Sequence, residues 1–213
     1  MDKLAQQSEE QLITRSQQGD VEAFNQLVAL YQQLLYNTIF RLLGDYDTAS
    51  DITQDAFIAA FRAIRTYRGG ASFRAWLLRI GTNLAHDHWR RLQRRPTSSI
   101  DEIMEEDNPH SSKHLRPLAS AKLAENPEEY MLTQELQELL HQGLASLSLE
   151  QRTALILCDI QGLTYEEVAH ITRTTLGTVR SRISRGRSHL RDYLHQHKEL
   201  LPRDYRLSNK RSD

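Results

Sequence analysis

The sequence predicts an all-α protein: two small helical domains joined by a flexible linker, the C-terminal one a helix-turn-helix. Apolar residues recur at helical spacing, first as Phe24, Leu27, Val28, Tyr31, Leu34 and Leu35, then as Phe73, Trp76, Leu77, Ile80 and Leu84. The period-two alternation expected of strands is absent. Glycine and proline are sparse, at 9 and 5 of 213 residues, so the turns that a β-rich fold needs have few residues to form them.

Each element carries its own start signal. Asp20 follows Gly19 just ahead of the first stripe and Ser72 precedes the second, each offering a side-chain oxygen to unpaired backbone amides. Residues 1–95 form the first unit. Residues 96–126 are polar, carry three prolines and the acidic stretch DEIMEEDN, and show little apolar periodicity, which predicts a flexible acidic linker. Helical signals resume at Asn126, Pro127 and Glu128–Glu129, where asparagine caps, proline suits the first helical position and glutamate completes a capping box. Ser148 to Gln151 and Thr164 to Glu167 repeat that box, so three or four short helices fit within 127–197, followed by a tail at 198–213.

Charge is distributed unevenly. The formal net charge is only −1, yet Arg180, Arg182, Arg185, Arg187 and Arg191 lie in a run from Arg173 to Arg191 that holds no carboxylate. An ordinary surface helix interleaves acids with its bases. Thr164 to Ile171 reads as one short helix, Thr172 to Thr175 as a turn, and Leu176 to about Leu194 as a second helix, the arrangement whose second helix enters the DNA major groove. Val179 and Ile183 face inward toward Val168 and Ile171, which leaves Thr178, Arg180, Ser181, Arg182, Arg185 and Arg187 for DNA. Some of these arginines would hold phosphates, and one reading guanine would discriminate by about 1–3 kcal/mol.

Several functions are excluded or disfavoured. The single cysteine, Cys158, precludes an internal disulfide and a cysteine-cluster zinc site. No phosphate loop or nucleophile elbow is present, and His86 and His88, two apart on a helix, point in different directions, so no metal, cofactor or catalytic residue is expected. The N-terminus lacks a basic region followed by an apolar core, and no apolar run approaches a bilayer span, so a cytoplasmic protein without membrane insertion is expected.

The run Gly162 to Ala169 followed by Gly177-Thr178-Val179-Arg180-Ser181-Arg182 resembles the promoter-binding C-terminal domain of extracytoplasmic-function sigma factors, two-domain members of the sigma-70 family of bacterial RNA polymerase initiation factors. DITQDAFIAAFRAI, Tyr67-Arg68-Gly69 and SFRAWLLRIGTNLAHDHWRR resemble the family's other domain. The resemblance covers roughly residues 9–95 and 127–195. It implies that residues 1–95 bind core polymerase and open the minus-ten element, and that 127–197 bind the minus-thirty-five element. It further implies polymerase core and promoter DNA as partners, an anti-sigma factor as restraint, and no enzyme activity in the chain itself.

Within this frame, Ile52, Ala56 and Phe57 turn to the core while Asp51, Gln54, Asp55 and Ile58 share a face that fits a basic protein partner, matching the family's polymerase-docking stretch. Tyr67, Arg68, Arg74, Asn83, His86, Trp89, Arg90 and Arg91 fall in the family's minus-ten segment, with Asn83 at the position beside a flipped base. Phe73 and Trp76 lie on the apolar stripe and are expected in the core. The chain departs from the family where Thr175-Leu176 and Ser148 replace usual prolines, though threonine and serine still cap helices. A helix-turn-helix regulator that is not a sigma factor is the rival reading. A response regulator of that type would need a strand-and-helix receiver, and the N-terminal half shows no strands.

Overall fold

In the computed structural model, residues 3–94 and 127–200 are described. The linker expected at 96–126, and most of the tail, lie outside them. Among the described residues there are eight α-helices and no strand. The N-terminal module holds α1 (Lys3–Gln17), α2 (Val21–Leu43), α3 (Tyr46–Ala63) and α4 (Phe73–Arg94). The C-terminal module holds α5 (Pro127–Ala145), α6 (Leu149–Leu155), α7 (Tyr165–Thr172) and α8 (Leu176–Gln196).

Local chemistry sets the boundaries. The Asp20 carboxylate accepts from Ala23 N and is gripped by Arg15, while Gly44 closes α2 in the left-handed conformation at φ 82°. Asp45 then caps α3 through Thr48 N, and Ser72 caps α4 through Ala75 N. In the C-terminal module Thr164 and Glu167 form the complete, reciprocal capping box, whereas Ser148 makes only its own half, to Gln151 N.

The two apolar stripes find each other. Leu27, Leu35, Ile39 and Leu42 of α2 and Phe73, Leu77 and Leu78 of α4 are almost wholly buried, each side chain contributing roughly 1.5–3 kcal/mol. At Gly81 a Cβ would lie 2.6 Å from Leu35 Cδ1, so the absence of a side chain is what lets α4 approach α2. Phe73 and Trp76 belong to this core, as their spacing predicted. Val168, Ile171, Val179 and Ile183 build the smaller core of the helix-turn-helix.

Helix α6 does not end cleanly. It widens into a π-helical segment, Ile156–Ile160, in which Gln161 N donates to Ile156 O and Leu163 N to Leu157 O. Gly162, at φ 65°, then turns the chain toward α7. The widened segment delivers Gln161, only 7% exposed, against the N-terminal module.

The modules pack on each other, which two separately read domains do not predict. Helix α4 lies against α7, and α2 against α5, α6 and the π segment. Arg152, 5% exposed, donates from Nη1 to Leu42 O at 2.5 Å and from Nη2 to Ala145 O at 2.6 Å and Leu147 O at 3.2 Å. The guanidinium sits where carbonyls at the ends of α2 and α5 converge, an arrangement in which helix dipoles favour a cation. Phe40 and His141 stack across the same boundary with centroids 5.0 Å apart.

Candidate nucleic-acid interface

Helix α8 is built to present cations. The Thr175 side chain accepts from Thr178 N at its start, and Val179, Ile183 and Gly186 turn inward, so close to α6 that a Cβ at Gly186 would come 3.2 Å from Leu155 Cδ1. That fixes the opposite face outward. Arg180 and Arg185 are exposed, Arg182 and Ser181 half-buried, and none of the three arginines has a carboxylate partner among the described residues. Thr178 lies half-buried in the first turn and accepts from Ser181 Oγ through its carbonyl.

Arg187 departs from that pattern. It forks onto Asp159 at 2.9 and 2.6 Å, so the fold supplies from the π segment the acid that the helix itself lacks. The pairing raises the arginine's pKa and holds the Asp159 carboxyl below its usual range. The turn ahead of α8 carries Arg173 at φ 52°, the one non-glycine residue in the left-handed region among those described.

The residues expected to meet the minus-ten element divide between two elements. Tyr67 and Arg68 sit in the loop before α4, where Tyr67 Oη donates to Ala71 O and its ring packs on Phe73 and Trp76, while Arg68 is exposed. Burial pushes the Tyr67 phenol up, so it is a neutral donor. Asn83, His86, Trp89 and Arg90 run along one side of α4, with Arg91 exposed beyond them. Arg90 is ion-paired to Asp87.

That side of α4 does not face open solvent. It lines a cleft of about 780 Å³ whose far wall is the C-terminal module, including Leu147, Thr153, Arg173 and Arg182. His86 Nε2 meets Thr153 Oγ1 at 2.7 Å, and burial lowers the imidazole's pKa. Arg74 is likewise engaged: its Nη2 donates to Gln161 O at 2.6 Å and to Gln161 Oε1 at 2.7 Å. Sequence spacing gave no hint of these partners, because they lie 67 and 87 residues away.

On the other flank of the N-terminal module, Asp51, Gln54, Asp55 and Ile58 are all exposed, as helical spacing predicted, and Ile52, Ala56 and Phe57 are buried. Gln54 and Ile58 border a groove of about 850 Å³ between α2 and α3. Sequence reasoning missed its remaining apolar rim, Val21, Phe24 and Phe61, with Phe24 and Phe61 rings 4.9 Å apart. The signal available was that Val21 and Phe61 are apolar yet exposed. Among the described residues no group of His, Cys, Asp and Glu is placed to hold a metal, and no helix is long and apolar enough to cross a membrane.

Comparison with known proteins agrees with this geometry. Residues 27–95 match the family model of Sigma-70 region 2, and residues 137–190 that of Sigma-70 region 4. The chain is 39% identical over 184 residues to the RNA polymerase sigma-H factor of Pseudomonas aeruginosa, covering 86% of this chain and 92% of that one. It is 38% identical over 182 residues to the ECF RNA polymerase sigma-E factor of Escherichia coli K12, covering 85% and 92%. Among solved structures, the sigma factor RpoE of Bartonella quintana, crystallised with the anti-sigma factor NepR, superposes with a TM-score of 0.62 at 26% identity, covering 81% of this chain and 96% of that one. CnrH, in complex with the cytosolic domain of CnrY, shares the fold with a TM-score of 0.62 at 24% identity, covering 89% and 98%.

Two helical modules, the second a helix-turn-helix with outward arginines on α8, that match Sigma-70 regions 2 and 4 in chain order define a transcription initiation factor. The chain belongs to the extracytoplasmic-function sigma factors of the sigma-70 family, and its function is that of an RNA polymerase sigma factor directing the core enzyme to promoters. A helix-turn-helix regulator of another kind does not account for the region 2 match.

Proposed function

We propose that the work of initiation is divided among three surfaces of this chain. The exposed face of α3 with Asp51, Gln54, Asp55 and Ile58, together with the groove between α2 and α3 that Gln54 and Ile58 border, docks on core polymerase. The loop at Tyr67–Arg68 together with Arg74, Asn83, His86, Trp89, Arg90 and Arg91 holds the minus-ten strand as it separates. The outward face of α8, with Thr178, Arg180, Ser181, Arg182 and Arg185, reads the minus-thirty-five element, while Arg187 contributes as a cation shared with Asp159. Residues 1–95 and 127–197 are accordingly the minus-ten and minus-thirty-five modules.

The observation that carries this reading is that Asp51, Asp55, Arg180 and Arg185 are exposed and form no ion pair among the described residues. A charge left without a counterion on a folded surface gains most from a partner of opposite sign. Asp51 and Asp55 suit a basic protein surface, and the arginines suit phosphate. The groove adds apolar area beside the acids, which suits a protein partner better than DNA.

The chain acts in the cytoplasm, where core polymerase is, and performs no bond-making of its own; polymerase supplies the chemistry. An anti-sigma protein is the expected restraint, supported by the similarity to a sigma factor crystallised with such a partner. Transcription in vitro with purified core polymerase and genomic fragments tests the whole reading: start sites above the core-only background are expected. The Asp51→Lys, Asp55→Lys double variant should melt normally and lose core binding at least tenfold. Undiminished core affinity in a folded double variant means that the docking face lies elsewhere.

A further inference from the structure

Helix α1 precedes the residues that match Sigma-70 region 2, and none of the three proposed surfaces includes it. Its C-terminal end is nevertheless tied to the fold. Leu12 and Ile13 are buried, Ser16 Oγ donates to Leu12 O, and the Arg15 guanidinium forks onto Asp20, the residue that caps α2. Gln17 is thus fixed from both sides of the turn between α1 and α2. Its amide Nε2 donates to Tyr67 O at 2.8 Å and to Ile64 O at 3.2 Å, carbonyls 50 and 47 residues further along the chain.

Those carbonyls stand where the chain leaves α3 for the loop before α4. Ile64 opens the short 3-10 turn Ile64–Thr66 and accepts from Tyr67 N at 3.1 Å as well. Among the described residues no second donor reaches Tyr67 O. The Tyr67 carbonyl and the Arg68 N–H belong to one planar peptide unit, so a donor that fixes the carbonyl also fixes the plane from which Arg68 departs. From Arg68 to Ala71 the loop makes no main-chain to main-chain hydrogen bond among the described residues, and Gly69 takes φ 77°. Tyr67 is therefore its anchor: the carbonyl on Gln17, the phenol on Ala71 O at 2.7 Å, and the ring against Phe73 and Trp76 with centroids 5.7 and 5.4 Å away. Helix α1 braces this cluster a second time, since the Tyr31 phenol donates to Glu9 and the Tyr31 ring packs on Phe73 at 5.5 Å.

We propose that Gln17 is a positioning residue for promoter opening: from α1 its amide sets the Tyr67–Arg68 peptide, and with it the direction in which Arg68 and the two glycines after it meet the separated minus-ten strand. The inference rests on the minus-ten assignment of that loop. Gln17 is half-buried while Arg68, Gly69 and Gly70 are exposed, so it acts through the loop rather than on DNA. Water can satisfy the Tyr67 carbonyl in its place, but a water free to exchange partners does not hold the peptide in one orientation.

The test uses the full chain, alone and as holoenzyme with core polymerase. Gln17→Met keeps the length and helix propensity of the side chain and removes its donors. Gln17→Glu is isosteric and turns a carboxylate toward both carbonyls; should it melt early, Gln17→Met serves alone. In the free chain, trypsin cleavage after the exposed Arg68 should run about 5-fold faster in the variants, the shift expected for one lost hydrogen bond between loop and helix. In the holoenzyme, affinity for a labelled single strand spanning the minus-ten region of a mapped start site should fall about 5-fold, while affinity for the same bases in scrambled order stays at the parent's value. A glutamine that merely stabilised the fold would leave the ratio of those two affinities unchanged in a folded, core-bound variant. Cleavage at the parent's rate, or faster cleavage with the parent's ratio, overturns the proposal. Arg68→Ala, measured alongside, separates the two readings. If it loses selectivity and Gln17→Met keeps it, the positioning role alone fails; if neither variant changes the ratio, the minus-ten assignment of the loop fails beneath it.

Discussion

Arg152 shows how much a single side chain can carry. Its guanidinium is nearly sealed from solvent, touches no carboxylate, and bonds three main-chain carbonyls from Leu42, Ala145 and Leu147. Burial lowers its pKa, yet arginine stays charged, so the three carbonyls and two helix ends must compensate for its desolvation. Its Nε finds no acceptor. Arg152→Met keeps the volume but leaves those carbonyls unpaired, and should lower stability by about 2–4 kcal/mol, read as the urea midpoint of the full chain. A loss below about 0.5 kcal/mol would mean that water replaces the guanidinium without cost. In the sequence Arg152 only follows the box at Ser148 to Gln151, and nothing local marks it as a residue that reaches a carbonyl 110 positions away.

Elements were legible where their determinants are local. The cap at Asp20, the box at Thr164 and Glu167 and the two apolar stripes specify α2, α7 and the α2/α4 core within a few residues of each signal. The π segment was not legible, since the residues of Ile156–Ile160 carry ordinary helix-forming patterns and only packing selects the wider turn. At the α2/α4 crossing, Gly81→Ala gains helix propensity but drives a methyl to 2.6 Å from the fully buried Leu35; the clash should prevail, with a net loss of about 1 kcal/mol in the urea midpoint. A stabilised variant would show that Leu35 can repack. On α8 the exposed Arg185 should act through phosphate. Arg185→Ala should reduce the slope of log K against log salt for promoter binding by about one, and an unchanged slope would remove it from the DNA face.

At the scale of the molecule, two histidines stand on the boundary between modules, and burial lowers the pKa of both below 6.5. His86 faces Glu150 and Arg182 from the C-terminal module and Arg90 and Asp87 on its own helix. His141, whose Nε2 is buried without a partner, faces Arg152, Arg41 and Glu138. A histidine that is harder to protonate when packed leaves packing undiminished above the open-state value near 6.5. As pH falls below that value the open form takes up protons first, so the closed form loses ground until pH reaches the depressed values, where the loss levels off. Between pH 7.5 and 5.5 the melting temperature should therefore fall. His141→Phe preserves the stack on Phe40 and should flatten part of that dependence. A pH profile identical to the parent's would exclude His141 from the effect.

The sequence by itself determined the helices, their caps, the core stripes, the cationic face of α8 and the exposed acidic edge of α3, because each depends on side chains within a turn or two of one another. Only the tertiary structure decided that Arg187 is neutralised by Asp159, that Arg74 and His86 are occupied by Gln161 and Thr153, and that α4 turns the side carrying Asn83, His86 and Trp89 toward the other module. Those pairings join residues tens of positions apart, and helical periodicity, which specifies the face a residue occupies, carries no information about which distant face comes to meet it.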